Sequence, residues 1–228
     1  HSYSSAASDV YKRQEYKTLD GKYVTPVKHD TMKEANEWID NYQSDLVFGS
    51  NTYQYNYLAD QYPNRVEWDM EKLLIVTIDI EVQCENGFPD PEKALEELLS
   101  ITIKNHQTKE IVVWGIGDFK SNRSDVHYVS CENELHLIKE FLVFWERNHP
   151  DVITGWNTEF FDIPYLCNRI KNRCDEDEIR RLSPWRSVSS RTVFKMGRNH
   201  QLYDIQGVAH LDYFDLYRKF TYTAQESY

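Results

Sequence analysis

Between Leu73 and Val82 the chain alternates strictly. Leu74, Val76, Ile78, Ile80 and Val82 fall on one side of an extended backbone, while Leu73, Ile75, Thr77, Asp79 and Glu81 fall on the other. This period of two predicts a strand with one face in a core. Shorter strand-like runs follow over residues 98–104, 110–116 and 152–154, and a last one over 209–214 precedes a short stretch at 216–220. Helical spacing holds over 132–148. A second helix is expected from Pro164, since proline suits a first helical turn. Upstream, Asp20-Gly21 marks a turn, and Ala35, Trp38 and Ile39 recur at helical spacing behind Thr31 and Glu34, a capping-box pair. Residues 46–58 alternate aromatic with polar side chains, 64–71 are charged and turn-like, and 184–207 read as a long, exposed, basic hairpin. Strands alternating with helices predict an α/β fold, with a domain boundary near Asp69 and no internal repeat.

Composition narrows the class. The chain has 228 residues, 40% hydrophobic and 28% charged, with only seven prolines and eight glycines, which excludes collagen-like and disordered readings. No apolar run approaches the roughly 18 residues that span a bilayer, so a soluble protein without a membrane partner is expected. Cys84, Cys131, Cys167 and Cys174 form no Cys-x-x-Cys pair and read as reduced intracellular thiols. Ser4 to Gln14, SSAASDVYKRQ, lacks apolar periodicity and resembles a translated sequencing adaptor. Residues 1–14 are therefore expected to be a non-native tail that does not pack, attached to a frame that begins inside a longer gene. Without Asp9, Lys12 and Arg13 the remainder has 24 basic and 36 acidic side chains, a net charge of −12.

Two acids, Asp79 and Glu81, share one face near the end of the predicted strand. Ionised carboxylates placed side by side among apolar neighbours repel and lose hydration, and the remedies are a raised pKa, a basic partner or a bound cation. Hard divalent ions with oxygen ligands meet that need. The plainer reading is that the acids mark where the strand emerges into water. A third acid, Asp162, follows an Asn157-x-x-x-Phe161 spacing and sits where a helix should start, a natural place for an anion or for a capping side chain.

With these residues in view, the chain resembles the 3′→5′ proofreading exonuclease region of family B DNA polymerases, especially those of large tailed phages. Asp79-Ile80-Glu81 resembles the first exonuclease motif and Asn157 to Asp162 the second. The flanks agree in order: GFPDP at 87–91, TGWN at 154–157, FDIPY at 161–165, NRIKN at 168–172, RLSP at 181–184 and LDYFDLYRKF at 211–220. The resemblance covers residues 72–228 well and 15–69 more loosely. It implies a ribonuclease-H-like exonuclease domain over 70–228, incomplete at its C-terminus, preceded over 15–69 by part of a small α+β N-terminal domain.

The implied chemistry is hydrolysis of the 3′-terminal phosphodiester of DNA with two divalent ions, Mg²⁺ or Mn²⁺. Asp79 would bridge both ions, Glu81 would complete the site of the water-activating ion, and Asp162 would hold the second. Phe88 resembles the family's aromatic that stacks on the terminal base, with ordinary core as its plain alternative. Asn157 resembles a polar substrate contact, or only organises its turn. The 184–207 hairpin, with Arg186, Arg191, Lys195 and Arg198, resembles the one that helps separate primer from template, or is a solvated hairpin.

The sequence departs from the family in one respect: the third motif, Tyr-x-x-x-Asp, does not occur after Asp162. His210 and Asp215 make a His-x-x-x-x-Asp spacing like that of exonucleases with a histidine general base, which keeps a stand-alone histidine-type exonuclease open as an alternative catalytic pair. A noncatalytic α/β binding module is the third reading. The leading one is a fragment of a replicative polymerase whose palm, fingers and thumb are missing. Its expected partners are the single-stranded 3′ end of a primer and, through the missing parts, a sliding clamp, in the cytoplasm of an infected bacterial host. The acidic balance has the wrong sign for strong phosphate contacts, so weak, metal-dependent DNA affinity and little activity are expected of the isolated chain.

Overall fold

The computed structural model describes residues 2–6, 16–41, 47–48, 57–59, 61–64, 67, 69–85, 87–195 and 197–220. Two compact units divide the chain, residues 1–68 and 69–228.

Among its described residues the first unit has a four-stranded sheet and a helix of ten residues. Strands β1 (Ser2–Ala6), β2 (Tyr16–Lys17), β3 (Tyr23–His29) and β4 (Val47–Phe48) lie in the order β2-β3-β1-β4. Gly21 takes φ +83° in the turn joining β2 to β3, a conformation that favours glycine. Helix α1 (Met32–Asn41) starts where the Glu34 N–H donates to Thr31 Oγ1 at 3.2 Å, as the capping pair predicts, and buries Ala35. The expectation that residues 1–14 do not pack is corrected at Ser2–Ala6, which pairs antiparallel with β3 from Ser2↔His29 to Ala6↔Thr25. Ladder hydrogen bonds are made by backbone, so an extended segment without apolar periodicity can still fill an open strand edge. Residues 7–15 and most of the aromatic-polar stretch at 46–58 lie outside the described residues.

The second unit is built on a six-stranded mixed sheet. Its strands are β5 (Ile75–Val82), β6 (Leu98–Asn105), β7 (Ile111–Ile116), β8 (Val126–Cys131), β9 (Val152–Gly155) and β12 (Ala209–Asp212), in the order β12-β9-β5-β6-β7-β8. Strand β6 runs antiparallel to both β5 and β7, whereas β9 is parallel to β5 and to β12. This is an α/β arrangement of the ribonuclease-H-like kind. The even side chains of β5 enter the core, where Val76, Ile78 and Ile80 meet Leu137, Ile138, Phe141 and Leu142 of helix α2 (Glu134–Arg147) and Ile163, Leu166 and Ile170 of helix α3 (Asp162–Arg173). Burying each such side chain contributes about 1.5–3 kcal/mol.

Several bounds differ from the sequence reading for local reasons. Helix α3 begins at Asp162 rather than Pro164, which leaves the proline in the first turn where no i−4 partner is needed. The last strand stops at Asp212, because that carboxylate accepts the Phe214 N–H at 2.8 Å and caps helix α4 (Tyr213–Phe220). Strand β8 was not expected at all. The hairpin is present as β10 (Val188–Lys195) and β11 (Arg198–Ile205), but only partly exposed: Leu202, Tyr203 and Ile205 are buried.

A buried ionic cluster ties the helices to the sheet. The Glu134 carboxylate is 2% exposed, accepts from Arg169 Nε and Nη2 and from the Leu98 N–H, and forms an ion pair with Arg173. All four cysteines are free, and burial pushes the Cys167 thiol up to about 12. No described helix is long and apolar enough to cross a membrane.

Candidate active site

The acids collect where the central strands end. Strand β9 pairs with β5 only as far as Thr77↔Thr154, so the backbone of β5 beyond that point lacks a neighbour on that side. Asp162 fills the gap: its Oδ1 accepts the Ile80 N–H at 3.0 Å. The carboxyl that does so is only 4% exposed, and burial above all, with the Asp79 charge added, pushes it up to about 7. Asp79 is exposed at the surface of β5, and partial burial raises its carboxyl too.

Asp79 and Asp162 are therefore electrostatic neighbours. Glu81 is exposed on the same face of β5 as Asp79, two residues on, beside a register shift between Glu81 and Val82. Hard carboxylate oxygens, with one acid held against another, suit a divalent cation in donor chemistry. The three do not close into a cage: among the described residues no group of three or more His, Cys, Asp or Glu side chains is placed to hold a metal ion. Side chains two apart on a strand start about 6–7 Å from each other, so Glu81 must swing to join the pair.

The turn between β9 and α3 is shaped by a residue that the sequence reading missed. Asp212 is 6% exposed at the end of β12, and its carboxylate accepts N–H bonds from Asn157 at 3.0 Å, Glu159 at 2.9 Å and Phe214 at 2.8 Å. Asn157 sits at φ +60°, a left-handed conformation that asparagine tolerates better than most residues. Gly155 precedes it for a steric reason, since a Cβ there would lie 2.7 Å from the Ile78 carbonyl oxygen. The signal in the sequence was Asp212-x-x-Asp215 ahead of a helical stretch, a capping pattern.

Phe88 is 82% exposed and leans on Phe161 with ring centroids 4.9 Å apart. It opens onto a cavity of about 350 Å³ whose lining includes Asn157, Phe160, Phe161, Lys195 and Arg198. Lys195 Nζ lies 4.1 Å from the centroid of Phe160. Most of the hairpin's positive charge is already matched: Arg186 pairs with Glu146, Arg191 with Glu159 and Asp204, and Lys195 with Asp215.

His210 and Asp215 lie elsewhere in their bonding. His210 Nε2 is 2.8 Å from Thr158 Oγ1, and burial lowers the imidazole's proton affinity. Asp215 binds Lys195 Nζ at 3.2 Å. Among the described residues neither bonds the other or any of Asp79, Glu81 and Asp162.

A ribonuclease-H-like sheet with aspartates at the end of its central strand and at the start of the abutting helix defines a nuclease-type α/β domain. The family model described as "DNA polymerase family B, exonuclease domain" matches residues 38–228, and the chain belongs to that family. Exonuclease domains of this family are metal-dependent nucleases. The chain is 32% identical to the DNA-directed DNA polymerase of Escherichia phage RB69 over 93% of its own length, and 31% identical to that of Enterobacteria phage T4 over 95%. The DNA polymerase delta catalytic subunit of Dictyostelium discoideum is 36% identical over 42% of the chain and 9% of the relative. The chain spans 27% of the length of each phage relative.

Proposed function

We propose that this chain is the proofreading part of a replicative family B DNA polymerase and removes 3′-terminal nucleotides from an unpaired primer end. Residues 70–228 are then its exonuclease domain, residues 15–69 a portion of the N-terminal domain and residues 1–14 a non-native tail. The observation that carries the reading is the pairing of buried Asp162 with Asp79 at the end of the central strand, an arrangement whose electrostatic cost is relieved by a cation.

Asp79, Glu81 and Asp162 would hold two divalent ions, Mg²⁺ or Mn²⁺, which when bound supply Lewis acidity to the attacking water and the departing 3′ oxygen. The chain's own groups orient the substrate. Phe88 offers an exposed ring for the terminal base, a contact that tolerates any base. Asn157, fixed by Asp212, presents its amide beside the same cavity. The palm, fingers and thumb of the parent would carry most duplex contacts and the sliding-clamp contact, in the cytoplasm of an infected host. A net charge of −11 and the matched hairpin cations give the isolated chain weak affinity for DNA.

The test is calorimetric titration of Mn²⁺ into the chain at pH 8, where Asp162 is ionised, against the Asp79→Ala variant. The variant is expected to bind at least about tenfold more weakly. Equal affinity in both proteins would remove the reading.

A further inference from the structure

The 350 Å³ cavity beside Phe88 is floored by Asn157, Phe160, Phe161 and Phe214, and two of its walls come from distant parts of the chain. One is the loop from Phe88 to Pro91, and the other is the hairpin, which contributes Lys195, Arg198 and His200. Neither wall is a regular part of the sheet, and a gap between a loop and a hairpin keeps its width only if something ties them. Helix α3 runs behind both.

Its side chains anchor the segment just after the loop, residues 93–96, by backbone carbonyls. Tyr165 Oη donates to Glu96 O, Arg169 Nη1 to Ala94 O and Leu95 O, and Asn172 Nδ2 to Lys93 O. Asn168 alone among these reaches both walls. Its Nδ2 donates to Pro91 O at 2.9 Å, and its Oδ1 accepts from the hairpin's Tyr203 hydroxyl at 2.5 Å. The amide is 8% exposed and Tyr203 is 6% exposed, so water does not readily replace either bond. One further link joins the walls directly, from the Gln201 N–H to Glu92 Oε1 at 3.2 Å.

We propose that Asn168 is a positioning residue that sets the width of this cavity, and through it the preference for an unpaired strand over a duplex. The amide is suited to the task because it donates at one end and accepts at the other, so both walls are held in one register by a single rigid plane. Losing either bond leaves the Gln201–Glu92 link as the tie between loop and hairpin, with Lys171 Nζ, 3.2 Å from the Tyr203 hydroxyl, holding the hairpin to the helix, so the walls loosen rather than part. The cavity then fits one unpaired base less closely and excludes a base pair less well. The inference rests on the functional reading above, because it takes the cavity to receive a DNA end.

Binding in Ca²⁺ to a fluorescein-labelled oligothymidylate and to a labelled blunt duplex, followed by anisotropy, tests it on the whole chain. Three variants separate the parts. Asn168→Asp keeps the acceptor for Tyr203 but sets a carboxylate oxygen against Pro91 O; Tyr203→Phe cuts the hairpin bond and leaves the ring packed; Phe88→Ala removes the shelf alone. Asn168→Asp and Tyr203→Phe are each expected to reduce the ratio of single-strand to duplex affinity about fivefold, with Mn²⁺ affinity as in the wild type. If both keep the wild-type ratio while Phe88→Ala weakens single-strand binding, the positioning role is overturned and the site reading stands. If Phe88→Ala binds the oligothymidylate as well as the wild type, the cavity does not take a base, and the functional reading falls together with the inference.

Discussion

Two buried aspartates beside this sheet, one closing a strand and one opening a helix, are put to opposite uses. At the end of β12, Asp212 accepts three backbone N–H bonds and fixes the turn that leads to α3. At the start of α3, across that turn, Asp162 accepts one N–H from Ile80 and has a second carboxylate, Asp79, as its electrostatic neighbour. Depth is nearly the same, 6% and 4% exposed. What differs is how fully the oxygens are occupied by donors. A carboxylate saturated with amides is a structural anion, whereas one left short of donors beside another acid is available to a cation or a proton.

The largest effect expected from this contrast is on folding. Asp212→Ala leaves the Asn157, Glu159 and Phe214 amides without their acceptor and should destabilise the domain by about 3–5 kcal/mol in urea unfolding. A loss under about 1 kcal/mol would mean that water or neighbouring groups replace the bonds, and the two aspartates would not be so different.

Asp162 should behave in the opposite sense. Its folded pKa of about 7 lies above the 3.8 of a free aspartate side chain, so the group favours the folded state fully below pH 4 and loses that contribution as pH rises through 7. Asparagine imitates the protonated form and keeps an oxygen for the Ile80 N–H. Asp162→Asn is therefore expected to be more stable than the wild type by up to roughly 3 kcal/mol at pH 8 without metal, with the difference vanishing near pH 4. Thermal melts at the two pH values decide the point, and a variant less stable at pH 8 contradicts it.

The smallest effect sharpens the cause. Burial outranks the Asp79 charge in raising the Asp162 carboxyl, so Asp79→Asn should lower its titration midpoint without returning it to 3.8. Carboxyl carbon-13 NMR across the titration reads this directly. A full return would make charge repulsion, not burial, the governing cause.

Sequence pattern revealed the parts of the molecule that depend on near neighbours. The alternation from Leu74 to Val82 matches the buried and exposed faces of β5, and the Thr31 cap and the early proline of α3 follow from local backbone chemistry. Asp212 was overlooked because its meaning comes from amides 55 and 53 residues away, and the strand reading ran past it to residue 214. The Asn168 bridge was invisible for the same reason, since its partners lie 77 and 35 residues distant. Strand β1 went unexpected because backbone pairing is nearly indifferent to which side chains accompany it.

The Glu134 cluster bears on how this domain can be exchanged between relatives. Glu134 and Arg169 share one dry site with the half-exposed Arg173 at its rim, and a crossover falling between residues 134 and 169 would deliver a carboxylate without its guanidiniums, or the reverse. An unmatched buried charge costs about 3–5 kcal/mol, a large part of an ordinary domain's stability. Chimeras should therefore tolerate breakpoints outside this interval and fail within it, unless both parents carry the same three residues. Residues 134–173 are in that sense one inherited block, even though a strand, a turn and two whole helices lie along it.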